Sequence, residues 1–471
     1  MSDVTDSRIA AATEYIAARF SDFKSPGLAA GIVHGDELIW SSGFGVADLK
    51  IGKAPDEWTV SRIASITKTF TGTAILQLRD EGLLNLDDPV TKYIPEFSEV
   101  RETEGNVKDV TLRRLMTHYS GLSTETALMS WGAEEFPQLN EILNALPDTE
   151  IVIPADSRWK YCNLAFGLMG EVIARVSGVE YVEYVNRNVI EPLGLESTAF
   201  DREDLPAEQL FTGYDAVVSE DPSRSELRVA DYLHLNGIAA AGQLHSNVAD
   251  LGKWLSFQFR EDGGERQGSQ ILSGRTLAEM HQPQYVSPDW MSGQALVWRV
   301  ERIDGRVYHG HGGAIHGFGS NICFNIPSRT GVVLLANAWP TSQVYEMGTE
   351  VMELLLTGDL PSPSTHMLHG LADPGVDVPP IETTPKHLEP YTGLFVAAPG
   401  IPTYVEFRDG DLWMTAPDGG FALHAPARLA RTDEPNSFIH RGGGYGLGER
   451  AVFASNHTNF TLGGWLYRRL D

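Results

Sequence analysis

Ser65-Ile66-Thr67-Lys68 opens a run in which Phe70, Ala74, Ile75 and Leu78 recur at helical spacing, and Gly82 ends it. A serine three residues ahead of a lysine lies one turn away on the same helix face. An unprotonated lysine there can take the hydroxyl proton, and serine needs such a neighbouring base to act as a nucleophile in acyl transfer. Taken alone, four residues with two fixed positions are a weak signal. The plainer reading is a helix start with Ser65 as its cap and Lys68 in solvent, and only further clusters in the same domain displace it.

Upstream, Ile9, Ala12, Ile16 and Phe20 predict a helix over 6–20, behind the capping candidates Asp3, Thr5 and Asp6 and stopped by Pro26-Gly27. Leu28 to Val33 and Leu38 to Trp40 flank His34-Gly35-Asp36-Glu37, a hairpin signal. Downstream, residues 100–260 mix helices with loops. Segments 321–325 and 331–336 read as paired strands around Pro327-Ser328, and Val344, Met347, Val351 and Leu354 predict a closing helix. The expected fold is α/β of the α+β kind, with helices packed on a largely antiparallel sheet. Prolines 361, 363, 374, 379, 380 and 385 crowd residues 358–385, which read as a linker. Beyond it, Val405 and Phe407, the turn Asp409-Gly410, then Leu412 and Met414 alternate as a hairpin; Phe460, Leu462, Gly463-Gly464, Trp465 and Tyr467 repeat the scheme. The expected division is therefore 1–357, the 358–385 linker, and a small all-β barrel or sandwich over 386–471.

Composition bounds the partners. With 63 acidic against 36 basic residues the net charge is -27, which disfavours nucleic acid and anionic membrane surfaces. Two cysteines, Cys162 and Cys323, leave no disulfide framework and no zinc cluster. The N-terminus carries acids where a secretory signal carries bases, and no apolar stretch reaches membrane length, so a soluble, cytoplasmic protein is expected.

Two more clusters share the domain with Ser65. Tyr161-Cys162-Asn163 precedes the helical run 164–176; a phenol can relay a proton, and an amide can orient a lysine or a substrate carbonyl. The plainer alternative is a buried tyrosine beside a capping asparagine. His309-Gly310-His311-Gly312-Gly313-Ala314-Ile315-His316-Gly317-Phe318-Gly319-Ser320 lies just before a strand and reads as a glycine-rich loop, where backbone N–H groups can serve as an oxyanion hole. Its three histidines suggest a metal only weakly, because metal ligands need a rigid frame. Neither a metal nor another cofactor is expected.

Together, the three clusters resemble the motifs of the class C β-lactamase-like and penicillin-binding-protein-like serine hydrolases, a group with D,D-carboxypeptidase, D-aminopeptidase, esterase and acyltransferase members. Tyr161-Cys162-Asn163 matches the middle tyrosine-x-asparagine motif, and His311-Gly312-Gly313 matches a third motif that is often histidine-x-glycine. The likeness extends through segments 70–89, 111–122, 192–195 and 241–246, in order over about 10–355. The C-terminal unit resembles the lipocalin-like appendage of non-lactamase members. The resemblance implies Ser65 as nucleophile, Lys68 as its partner, Tyr161 sharing the base role, and Asn163 orienting Lys68 or the substrate. It implies oxyanion donors in the backbone of Ser65 and Ala314, with His311, Gly312 and Gly313 facing substrate. Lysine is usual at His311 in the β-lactamases, so efficient β-lactam hydrolysis is not expected. It also places His118 and Ser120 in a structural loop, and Cys162 is read as packing.

The function these readings support is hydrolysis, through an acyl-enzyme, of a small ester, an amide or a short D-amino-acid-containing peptide. Acyl transfer on the same fold, weak β-lactamase activity, a non-catalytic scaffold and self-association into a homo-oligomer stay open. All three motifs precede the C-terminal unit, so the chemistry is expected to survive its removal.

Overall fold

The computed structural model describes residues 4–470 apart from 23–24, 127, 134, 218–225, 340–342, 362–377, 398–399, 416–425 and 443–444. Most of the predicted linker lies outside the described residues. The first helix forms as α1 (Asp6–Ser21), and the hairpin as β1 (Gly27–His34) and β2 (Glu37–Gly45) around Gly35, whose φ of +61° suits a glycine turn. The sheet is completed by β3 (Tyr285–Val286), β4 (Ser292–Gln294), β5 (Arg299–Ile303), β6 (Arg306–Ile315), β7 (Phe318–Asn325) and β8 (Thr330–Ala336). The order β2-β1-β8-β7-β6-β5-β4-β3 is antiparallel throughout.

Side-chain alternation assigns the two faces. Leu28, Ala30 and Ile32 of β1, with Val332 and Leu334 of β8, pack under α1 and α7 (Gln343–Thr357) through Ile16, Met347 and Val351. Ala29, Val33, Val333 and Leu335 point the other way, into the core shared with the helices numbered α2 to α6. These are α2 (Thr67–Asp80), α3 (Leu112–Thr117), α4 (Asn163–Ser177), α5 (Ala239–Gly242) and α6 (Val248–Gln258). Helix α6 lies on β1 and β8, while α2, α4 and α5 pack together beside the sheet. The site lies between that helical group and β6.

Segment 309–320 corrects the sequence reading. It is not a loop before a strand: residues 306–315 form β6 itself, paired with β7 from His309↔Phe324 to Ile315↔Phe318. His309 and His311 are buried, not exposed. Glycine here serves close packing. A Cβ on Gly313 would stand 2.0 Å from the Ile63 carbonyl oxygen, and one on Gly312 would stand 1.9 Å from the Tyr345 ring.

The C-terminal strands close into an eight-stranded barrel, β9 (Gly393–Ala397), β10 (Ile401–Arg408), β11 (Asp411–Thr415), β12 (Ala427–Arg431), β13 (Ser437–His440), β14 (Arg450–Phe453), β15 (Asn459–Leu462) and β16 (Trp465–Arg469). Both predicted hairpins form, pairing Phe407 with Leu412 and Leu462 with Trp465. Among the described residues, no helix is long and apolar enough to cross a membrane.

Candidate active site

Ser65 sits on the short turn Ala64–Ile66 that leads into α2. Ala64 before it has φ +45°, a left-handed conformation costing a non-glycine residue about 1 kcal/mol. The surroundings hold it there: Ile63 N–H donates to the Leu244 carbonyl at 3.0 Å, and the Ser320 hydroxyl donates to the Ile63 carbonyl at 2.9 Å.

Lys68, on the first turn of α2, is wholly buried. Its Nζ lies 3.1 Å from Ser65 Oγ, 2.8 Å from Asn163 Oδ1 and 2.6 Å from the Ala241 carbonyl oxygen. Burial lowers its pKa to about 7; the charges of Glu125 and Cys162 oppose the shift, and Arg299 adds to it.

Burial raises the pKa of Tyr161, and the interaction of its hydroxyl with the Ser65 side chain opposes the rise. Its ring packs 4.3 Å from that of His118, which caps α3 in a left-handed conformation (φ +62°). The His118 Nδ1 accepts the Cys162 N–H at 3.1 Å, so this histidine fixes the tyrosine segment. Cys162 caps α4, its Sγ accepting from Ala165 N–H, and burial lifts its thiol to about 12. Packing is therefore its role. Asn163 opens α4: Nδ2 donates to Glu125 Oε1 at 2.6 Å and to Tyr445 Oη at 2.5 Å.

His311 donates from Nδ1 to the Gly312 carbonyl at 2.7 Å, which leaves Nε2 as an acceptor. Burial, with Arg299 and Lys68 nearby, holds its pKa well below the ordinary value, so it is neutral. Gly313 brings the backbone of β6, with Ala314 next to it, against the Ser65 turn. Gly312 faces Tyr345. His309 bonds the His281 carbonyl, and His316 bonds Asp215 and the Trp131 carbonyl. No group of metal-ligating side chains occurs among the described residues.

Three site residues escaped the sequence reading. Glu125 lies seven residues after His118, just past the segment 111–122 that was read as structural. Burial raises its carboxyl to about 8, against the bond from Asn163, the Lys68 charge and the bond from Trp131. Arg299, at the start of β5, lies 5.3 Å from the Trp159 ring centre and 6.0 Å from that of Tyr161, with no carboxylate partner among the described residues. Tyr445 comes from the barrel, out of Gly442-Gly443-Gly444-Tyr445-Gly446-Leu447-Gly448; one large polar side chain among glycines was the available signal.

The profile of the β-lactamase family matches residues 13–356, which include every motif residue above. The chain belongs to the β-lactamase family. It is 26% identical over 316 residues to "Protein flp" of Staphylococcus aureus, a match spanning 66% of this chain but only 59% of that protein's length. Its fold is that of the octameric penicillin-binding protein homologue from Pyrococcus abyssi (TM-score 0.61, 20% identity, 98% of this chain and 100% of that one). A D-stereospecific amidohydrolase from Streptomyces sp. superposes with TM-score 0.59 at 25% identity, over 74% of this chain and 99% of its own.

Proposed function

We propose that this chain is a serine hydrolase that works through an acyl-enzyme on Ser65. The observation that carries the reading is Lys68 Nζ, buried and 3.1 Å from Ser65 Oγ, with its pKa brought to about 7. A neutral Lys68 has two N–H bonds to give, and Asn163 Oδ1 and the Ala241 carbonyl accept them. Its lone pair then faces the Ser65 hydroxyl and takes its proton as Oγ attacks the substrate carbonyl. Tyr161, beside the same hydroxyl, passes its proton to the leaving group and takes one back from the Lys68 ammonium, which frees the amine for the second step. The Ser65 and Ala314 N–H groups receive the oxyanion, at about 3 kcal/mol per donor in comparable sites. Water then releases the acyl group, Lys68 again acting as base.

His311, neutral and presenting an acceptor, is unsuited to bind an anion. Arg299 is the cation that supplies this, and it favours a small amide, ester or short peptide bearing a carboxylate. The D-stereospecific amidohydrolase among the similar structures supports D-amino-acid amides as the first class to try.

Fluorophosphonate labelling tests the reading. Wild type should gain one covalent adduct at Ser65, and Ser65→Ala should lose adduct and turnover while melting normally, since a helix-head serine contributes only about 1 kcal/mol. A Ser65→Ala protein that keeps more than a few per cent of the wild-type rate would sink the assignment. Side-by-side hydrolysis of p-nitrophenyl esters, D- and L-amino-acid amides and nitrocefin then ranks the substrates.

A further inference from the structure

We propose that Tyr445, carried by the C-terminal barrel, is a positioning residue of the active site: it holds the Asn163 amide with its oxygen toward Lys68, so that the barrel completes the catalytic centre. The proposal rests on the serine-hydrolase reading above.

An asparagine amide has two ends of similar shape and opposite hydrogen-bonding character. Only one orientation gives Lys68 an acceptor, and Glu125 Oε1 beyond Nδ2 favours it. The Tyr445 hydroxyl, which can donate as well as accept, holds the amide in place through its bond to Nδ2. Two acceptors lie there, Glu125 Oε1 at 2.6 Å and Tyr445 Oη at 2.5 Å. A flipped amide would turn N–H donors toward Lys68 and its oxygen toward the Glu125 oxygen.

Tyr445 is firmly placed. Its carbonyl accepts from Lys160 Nζ at 3.0 Å and from Thr124 Oγ1 at 2.7 Å. Lys160, with no side-chain exposure, pairs with Glu449 at 2.6 Å, and Glu449 Oε1 also takes the Thr124 N–H at 2.7 Å. Gly448 (φ +77°) lets this strap lie so near Val152 that a Cβ would stand 2.8 Å from the Val152 carbonyl oxygen. Lys160 directly precedes Tyr161, so the ion pair that docks the strap also anchors the Tyr161 backbone.

A second barrel turn reaches the same amide through Glu125. The Gly464 carbonyl accepts Trp131 N–H at 3.0 Å, Trp465 stacks on Trp131 with ring centres 5.3 Å apart, and the Trp131 indole donates to Glu125 Oε1 at 3.3 Å. Both acceptors of Asn163 Nδ2 are therefore set by the barrel, one directly and one through Trp131. The Tyr445 ring, 5.2 Å from that of Tyr161, also forms a wall of the site.

The test uses the full-length chain with p-nitrophenyl acetate and a fluorophosphonate. Tyr445→Phe removes one hydroxyl and keeps the packing, so its melting temperature should stay within about 2 °C of wild type. Its kcat should fall about tenfold with KM within twofold, and labelling of Ser65 should slow in parallel, because the hydroxyl acts on Lys68 through Asn163 and touches no substrate. Tyr445→Ala should show the same loss in kcat and a severalfold rise in the rate on p-nitrophenyl butyrate relative to acetate. A folded Tyr445→Phe protein with wild-type kcat and labelling rate, or with a rise in KM alone, overturns the proposal. Wild type that takes no label at Ser65 overturns the hydrolase reading instead, and this proposal with it.

Discussion

In water a lysine amine keeps its proton to about pH 10.4, so Lys68 is available as a base near neutrality only because the fold strips its solvent. The sign of the pH dependence follows. Below about 7 the amine is protonated and cannot take the Ser65 proton; above it the amine is free. The kcat/KM for a neutral ester should therefore fall about tenfold per unit below pH 7 and level off above it, and a profile flat from pH 5 to 8 would exclude Lys68 as the base. Arg299 pushes Lys68 the same way as burial does. Arg299→Met should move the acid limb to higher pH, because removing a neighbouring positive charge favours the ammonium. It should also raise KM about tenfold for carboxylate-bearing amides, the scale of a lost charged hydrogen bond, and leave KM for neutral esters nearly unchanged. Equal effects on both substrate classes would show that Arg299 does not read a carboxylate.

At the scale of the element, β6 and the Ser65 turn are fitted to each other through a missing side chain. Gly313→Ala would set a methyl 2.0 Å from the Ile63 carbonyl oxygen, and backbone cannot rotate away as a side chain end can. We expect about 1–3 kcal/mol of destabilisation in urea unfolding and a loss of activity larger than stability explains, since the displaced turn carries Ser65, the proposed nucleophile. Wild-type kcat in Gly313→Ala would mean the turn tolerates the shift. The same strand marks where the sequence stopped being legible. Apolar periodicity placed α1, α2, the first hairpin and both barrel hairpins, because burial on one face leaves a period in the sequence. It could not place β6, whose glycines carry neither strand propensity nor an apolar face. Ser65, Lys68, Tyr161 and Asn163 were readable because short spacings fix them on one turn or at one helix start. Glu125, Arg299 and Tyr445 were not, since each reaches the site only through tertiary contact, and an isolated acid, arginine or tyrosine has no pattern of its own.

Across the whole molecule, apolar packing runs without a break from the helical core into the barrel by way of Trp131 and Trp465. Beside that contact lies the Lys160–Glu449 pair, with side-chain exposures of 0% and 10%. A buried pair gains little over apolar residues of the same size, yet removing one partner strands the other's charge, at about 3–5 kcal/mol. Glu449→Gln should accordingly destabilise the protein by that amount in urea, whereas the double change Lys160→Met with Glu449→Leu should recover most of it. Equal losses in the two would locate the energy in packing and not in the stranded ammonium. The sequence, with all its motifs ahead of residue 357, favoured a catalytic part able to work alone. From the contacts we expect the barrel to matter to the site. A chain ended near Pro361 loses the acceptor beyond Asn163, the partner of Lys160 and the cover over Trp131, and so leaves a buried cation unpaired one residue from Tyr161. Such a truncated protein should be insoluble or, if soluble, should label with fluorophosphonate at least tenfold more slowly than the full chain, in line with the loss of a positioned general base. Labelling at the full-length rate would show that the serine, lysine and tyrosine hold their geometry without the barrel.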